Sequence, residues 1–290
     1  MKTNYLMAFL LGLAVFALPI EAQGRSQAEL VVALRSSDPG TRASAFQALQ
    51  AKPGGLSAPG VSNALADLLE KENQLIESTI RDSHGRLGIV DVYGEDYGEY
   101  VSQLASECAT RCELRNPRVV LMLAETFPGE SPEATHLAAM HGSLLLPIFL
   151  DKMSGQGIDR RRNALVWLGE IAVGSNTLSS QQTAMLDSSL VGCVTRTCLQ
   201  VLVEEALSSI EAIVTRRADL SASRRTLYHR TVVAAMSSTS EDIRFGAVGA
   251  LAAFRDSSDL ALLERLRQRD TKLVGNAAAA ASAKIRAHAP

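Results

Sequence analysis

The residues with the most evident chemical potential in this chain are four cysteines, which fall into two close pairs. They are Cys108/Cys112 and Cys193/Cys198. In an exported protein this arrangement favours disulfides, and bonds within each cluster and bonds between the clusters both remain open. Because neither spacing is Cys-x-x-Cys, a four-cysteine zinc site and a thiol redox centre are weaker alternatives.

Few other residues form a recognisable catalytic or metal-binding arrangement. The sequence contains no Gly-x-Ser-x-Gly and no His-Glu-x-x-His, which argues against an α/β-hydrolase and a common zinc protease. His136 and His141 lie near Glu130 and Glu133 and could ligate a metal, although two surface histidines are the simpler interpretation. We therefore expect no catalytic, cofactor-binding or metal-binding residue, and no cofactor.

A tyrosine-rich, acidic segment between residues 91 and 100 is a candidate partner-binding patch. Its tyrosines are spaced i, i+4, i+7, so one helical face would carry all three. Exposed, they would anchor a basic protein partner; buried, they would be the aromatic face of a helix whose acids stay in water. The acids do not follow the calcium-loop pattern. The candidate residues are Tyr93, Tyr97, Tyr100, Glu95, Asp96 and Glu99.

Short charged clusters elsewhere are typical of helix faces and helix ends. We interpret Glu204 and Glu205 as a solvated helix face rather than as acid/base machinery. The basic clusters at residues 160–162, 216–217 and 224–225 are interpreted as charges at helix ends and between repeats.

The first residues of the chain have the order of a secretory signal. Lys2 precedes an apolar run from Tyr5 to Ile20, and Ala22 and Gly24 follow as small residues suited to a signal peptidase. The run is short for a membrane span. We expect a signal peptide over residues 1–22, cleaved near Ala22 or Gly24, and a secreted or periplasmic protein; an uncleaved anchor is the alternative.

The composition of the chain favours an all-helical protein. The formal net charge is −2, without the basic excess of a nucleic-acid-binding protein. Aromatic residues make up 4% of the chain, and long stretches are rich in the stronger helix formers. Alternating runs of β-branched and aromatic residues, which indicate strands, are nearly absent.

One spacing, which occurs three times in the sequence, indicates the helices that must position these residues. An Arg precedes an Ala by three residues and a Leu by seven, within a helix-length run. The copies are separated by close to three and then two units of about 40 residues, a period typical of stacked helix pairs. They are Arg42/Ala45/Leu49, Arg161/Ala164/Leu168 and Arg244/Ala247/Leu251.

The residues around all three copies, including Arg161, Ala164, Leu168 and Gly169 of the second, resemble a known family of helical repeats. The segments Asp38 to Arg42 and Asp242 to Arg244, each followed by the Ala and Leu, resemble the second helix of a HEAT repeat. The resemblance implies that the Arg and Asp bond within and between repeats, while the Ala and Leu enter the core. It is clearest over residues 26–50, 142–174 and 240–285.

The resemblance implies an all-α fold, an α-solenoid of stacked antiparallel helix pairs over residues 23–290. Such folds present surfaces to partners, and the fold alone does not define the function. We expect an exported, non-catalytic HEAT-repeat scaffold that binds a protein or peptide in the cell envelope or extracellular space. Nucleic acid, and membrane contact beyond the signal peptide, are not expected. The alternative is an enzyme or cofactor-handling protein on the same scaffold, resembling the HEAT-like bilin lyases.

Overall fold

The computed structural model describes residues 25–57, 60–82, 95–112, 114, 116–196 and 198–287. Their regular secondary structure is helical, with no strand among them. The residues of the expected signal peptide lie outside these ranges, so the leader stays a prediction. The chain divides into two compact units, with the boundary between Cys108 and Ala109.

The described residues of the first unit form three helices and a short 3-10 turn, and a fourth helix begins among them. Side chains cap the first two helices. Ser26 and Glu29 form a capping box, and Asp38 accepts a hydrogen bond from the Thr41 amide at 2.7 Å, ahead of Pro39 in the first turn. The elements are α1 (Gln27–Ala33), α2 (Pro39–Ala51), the 3-10 turn (Gly55–Ser57), α3 (Val61–Asp82) and α4 (Glu95–Arg111).

The second unit is a stack of helix pairs preceded by one further helix. Helices α6/α7, α8/α9, α10/α11 and α12/α13 pack as consecutive antiparallel pairs. The second helices α7, α9, α11 and α13 also pack side by side in chain order, which is the arrangement of an α-solenoid. The elements are α5 (Pro117–Thr126), α6 (Pro132–Ser154), α7 (Ile158–Gly174), α8 (Ser180–Thr195), α9 (Gln200–Arg216), α10 (Ala222–Ala235), α11 (Glu241–Ala252), a 3-10 turn (Ser257–Asp259), α12 (Leu260–Arg269) and α13 (Lys272–Arg286).

The stacking depends on small residues where neighbouring helices meet. A Cβ atom added at Gly169 of α7 would lie 2.9 Å from the Oγ of Ser209 on α9. One added at Gly142 of α6 would lie 2.5 Å from the Cβ of Ser175. Larger residues fill the interior of the pairs, as where Trp167 stacks on Phe149 with ring centroids 4.8 Å apart.

The Arg of the repeat pattern is a structural residue in the first and third copies. Arg42 is buried and forms a two-pronged ion pair with Glu72, through N–O distances of 2.6 and 2.7 Å. Its remaining nitrogen donates to the Ser36 and Ser37 carbonyls. Arg244 has the same geometry, with Asp270 as its carboxylate at 2.8 and 2.7 Å and the carbonyls of residues 238 and 239 as further acceptors.

The second copy of the pattern departs from this arrangement. Arg161 lies at the corresponding place on α7, but its Nε is buried without a hydrogen-bond partner among the described residues. Its charge acts on the thiol of Cys193, on α8. The hydrogen bonds that we predicted for this Arg are therefore present for Arg42 and Arg244, whereas the Nε of Arg161 has none within the described part of the chain.

Candidate protein-binding face

The outward side of α9 is a line of polar residues produced by the helical period. Gln200, Glu204, Ser208 and Glu211 follow one another at i, i+4, i+8 and i+11. The opposite side of the helix carries its buried aliphatic residues, so packing against the neighbouring helices holds the polar line outward.

A second line on α11 lies beside the first. Asp242, Phe245 and Gly249 are exposed at i, i+3 and i+7, and 44% of Phe245 is accessible to solvent. At one end, Gln200 Nε2 donates to Asp242 Oδ2 at 2.7 Å. At the other, a Cβ atom added at Gly249 would lie 3.7 Å from Glu211 Oε2. The two lines of residues therefore run side by side.

The preceding second helix, α7, extends the same face. Arg162 Nε donates to Glu205 Oε2 at 2.7 Å, which links α7 to α9. This bond, together with the nearby carboxylates of Glu130 and Asp159, holds the pKa of Arg162 above its usual value. A cleft of about 310 Å³ opens here, lined by Pro128, Gly129, Glu130, Asp159, Arg162, Asn163, Val166 and Glu205.

Carboxylates dominate this part of the surface. Arg162 neutralises Glu205, whereas no Lys or Arg within the described ranges forms an ion pair with Glu204, Glu211 or Asp242. Gln200 instead donates to both Glu204 and Asp242 and holds these two carboxylates in place. We call the following residues the acidic face: Glu130, Asp159, Glu204, Glu205, Glu211 and Asp242. Such a surface attracts cationic groups and repels anionic ones.

The tyrosine-rich segment contributes to the interior where its side chains are described. Tyr100 is 2% exposed, donates to Glu72 Oε1 at 3.0 Å, and packs edge-on against Phe46. Glu99 is exposed and accepts a hydrogen bond from Gln103. Tyr93, and the side chains of Tyr97, Glu95 and Asp96, lie outside what the structure describes. The buried alternative therefore holds for Tyr100, which belongs to the core and is not a surface anchor.

All four cysteines are thiols in this structure, so the predicted disulfides find no support in it. Cys108 is buried within α4, and Cys112 follows the end of that helix. Cys193 is buried near the end of α8, and its thiol lies against that of Cys198 in the following linker. Burial, and then this contact, raise the pKa of Cys193 to about 12. A thiol with so high a pKa is a poor nucleophile at neutral pH.

The two histidines that the sequence offers as possible metal ligands, His136 and His141, do not belong to the group of potential ligands found among the described residues. His136 is half-buried, and burial lowers its pKa; His141 lies at a kink in α6. Within the described residues, the group of three potential ligands is His229, Asp256 and Asp259. The sequence signal for this group is weak, because about thirty positions separate the imidazole from its carboxylate.

The helix pairs define the class of fold: the described part of the second unit is an α-solenoid of antiparallel helix pairs. None of the chain's described helices combines the length and the apolar character needed to cross a lipid bilayer.

No family model and no curated protein matches the chain. Among solved structures, it is similar to computationally designed armadillo repeat proteins for modular peptide recognition, with 17% identity, 89% of this chain and 99% of that chain covered, and a TM-score of 0.37. A designed armadillo repeat protein in complex with the peptide (KR)4 gives 17% identity, coverage of 90% and 100%, and a TM-score of 0.38. UNC-45 from Drosophila melanogaster gives 13% identity, coverage of 94% and 48%, and a TM-score of 0.38.

Proposed function

We propose that this protein is an exported, non-catalytic scaffold that binds a basic, extended segment of a partner protein along the acidic face. The observation that carries the proposal is the alignment of Glu204, Glu211 and Asp242 on two adjacent repeats without cationic partners among the described residues. A Lys or Arg side chain of the partner would supply the missing positive charge.

The exposed ring of Phe245 gives this face an apolar contact as well as charge. Aromatic residues contribute strongly to protein interfaces when a partner covers them. The carboxylates alone would mainly accelerate and orient the encounter, because exposed charges are screened over about 10 Å in 0.1 M salt. A partner segment with alternating basic and apolar side chains matches both properties.

Export is the part of the proposal that rests on the first residues of the sequence. The order of Lys2, the apolar run and the small residues supports removal of a signal peptide and action in the periplasm or outside the cell. Mass spectrometry of the mature N-terminus tests this directly. A protein in the cytoplasm that retains Met1 would refute the export proposal and leave the binding proposal standing.

The binding proposal is tested with labelled peptides and charge-neutralising variants. We expect a Lys/Arg-rich peptide with interspersed Leu to bind in fluorescence anisotropy, and the same peptide with Glu in place of its basic residues not to bind. The triple variant Glu204→Gln, Glu211→Gln, Asp242→Asn should weaken binding at least tenfold. Raising the salt from 50 to 500 mM should also weaken binding, by an amount of the same order.

The matched control changes the same number of charges elsewhere in the second unit. Glu125→Gln, Asp219→Asn and Glu264→Gln alter three exposed carboxylates outside the acidic face. This control triple should bind as the wild type does. Equal losses in the two triple variants would attribute binding to net charge, and no binding of the basic peptide at low salt would end the proposal.

A further inference from the structure

A cavity separate from the acidic face lies between α10 and the turn that follows α11. Its volume is about 570 Å³, and it is lined by Arg225, Thr226, His229, Phe254, Arg255, Asp256 and Ser257. Asp259, the last residue of the adjoining 3-10 turn, is 5% exposed and contacts His229 at the edge of this cavity.

Three potential metal ligands converge at this place. His229 Nε2 lies 2.9 and 3.1 Å from the two carboxylate oxygens of Asp259. With one oxygen of Asp256, the three ligand atoms all lie within 4.8 Å of one another. Donor atoms about 2.1 Å from a common ion lie about 3.4 Å apart in the tetrahedral arrangement that zinc prefers. The exposed Asp256 side chain therefore has to move by up to about 1.4 Å to complete a site.

The local backbone explains why the two acids face the same side. The Asp259 amide donates to the Asp256 carbonyl at 3.1 Å, which closes the turn and brings the two acids close together. Asp256 Oδ1 caps the turn by accepting from the Ser258 amide at 2.9 Å. Phe254 packs edge-on against the imidazole of His229 with centroids 5.1 Å apart, which fixes the ring plane.

We propose that His229, Asp256 and Asp259 bind a divalent transition-metal ion, with Zn²⁺ as the best-matched candidate. One imidazole and two carboxylates suit zinc, and the two negative charges balance the charge of the ion. Three protein ligands leave one coordination position open toward the cavity. Arg225 and Arg255 line that cavity, so an exogenous ligand at the open position would be an anion or water.

The test uses the full mature chain, stripped of metal with EDTA and titrated with Zn²⁺ in competition with a chromophoric chelator. We expect one Zn²⁺ per chain and a higher melting temperature with the metal than without it. His229→Gln and Asp256→Asn should each weaken the affinity at least tenfold. Co²⁺ in place of Zn²⁺ should give visible absorption bands in the wild type that both variants lose.

The controls separate a metal site from general stability. His136→Gln and Asp219→Asn remove a half-buried His and an exposed Asp outside the group, and they should bind Zn²⁺ as the wild type does. Asp256 is exposed, so its variant should keep the melting temperature of the metal-free wild type. Absence of stoichiometric Zn²⁺ binding at micromolar concentrations, or unchanged affinity in a folded Asp256→Asn variant, would overturn the proposal.

Discussion

The first and second copies of the Arg/Ala/Leu pattern have the same spacing and different electrostatic surroundings. In the first copy, Arg42 is buried against Glu72 with both prongs of its guanidinium satisfied. In the second, Arg161 has a buried Nε without a hydrogen-bond partner in the part of the chain that the structure describes, and it lies near the thiol of Cys193. The pattern therefore determines where the Arg lies on the helix, while the acid that pairs with it is supplied by a later part of the chain.

The largest effect that separates the two copies is expected from Arg42→Ala. Arg42→Ala removes both hydrogen bonds that the guanidinium donates to the buried Glu72 carboxylate, and breaking a buried ion pair in this way costs about 3–5 kcal/mol. We expect a loss of this size in the free energy of unfolding, measured by urea denaturation. Arg35→Ala, at an exposed position of the same unit, is the control and should change the free energy by less than about 0.5 kcal/mol. Equal stability of the two variants would contradict the structural role of Arg42.

A smaller loss is expected from Arg244→Ala in the third copy. This ion pair has the same geometry, but the side chains are more exposed, at 16% for Arg244 and 10% for Asp270. Water can therefore solvate the remaining carboxylate, and we expect a loss of about 1–3 kcal/mol. Urea denaturation of Arg244→Ala beside Arg42→Ala tests the order of the two effects, and a greater loss at Arg244 would show that burial does not govern them.

The Arg244 pair also predicts how this difference depends on pH. The hydrogen bond from Arg244 holds the pKa of Asp270 below its usual value, against the opposing effect of burial. A carboxyl group whose pKa is lowered by folding stabilises the fold above its unfolded pKa, near 3.9, and loses this contribution as the pH falls through the folded value. The free-energy difference between the wild type and Arg244→Ala should be constant from pH 7 to 5 and shrink below about pH 4. A difference that persists unchanged at pH 3 would exclude this ion pair as its cause.

The smallest effect is expected from Arg161→Met in the second copy. Methionine keeps most of the side-chain volume and removes a buried donor that has no acceptor among the described residues. The free energy of unfolding should therefore change by less than about 1 kcal/mol, or increase. A loss as large as that of Arg42→Ala would mean that Arg161 has a stabilising partner that its contacts do not reveal.

The sequence was sufficient for the fold because the core positions recur with the helical period. Ala45, Ala164 and Ala247 are all buried, as are the Leu residues four positions after them. The spacing of Arg161, Ala164 and Leu168 predicts that they share one helix, and α7, from Ile158 to Gly174, contains all three. These features depend on neighbours three or four residues apart, which a single sequence displays directly.

The candidate sites were less predictable because their residues meet only after the helices stack. The sequence indicates only a solvated helix face for Glu204 and Glu205. The link from Glu204 through Gln200 to Asp242 requires that α9 and α11 lie side by side, and the bond from Arg162 to Glu205 requires that α7 and α9 do. In the same way, His229 and Asp259 come together through packing between α10 and the turn after α11. In the third copy, Arg244 can be recognised from the sequence but its partner cannot, because Asp270 belongs to no motif of its own.

The contact between Gly169 and Ser209 determines how closely α7 and α9 can pack. Ser209 is buried, and its Oγ donates to the Leu165 carbonyl at 3.1 Å. A methyl group at Gly169 would either displace this hydroxyl or push α9 away from α7. Because the helix pairs are joined in series, a displacement at this joint would be transmitted to each later pair. The lack of a side chain at Gly169 therefore keeps the carboxylates of α9 aligned with Arg162 on α7.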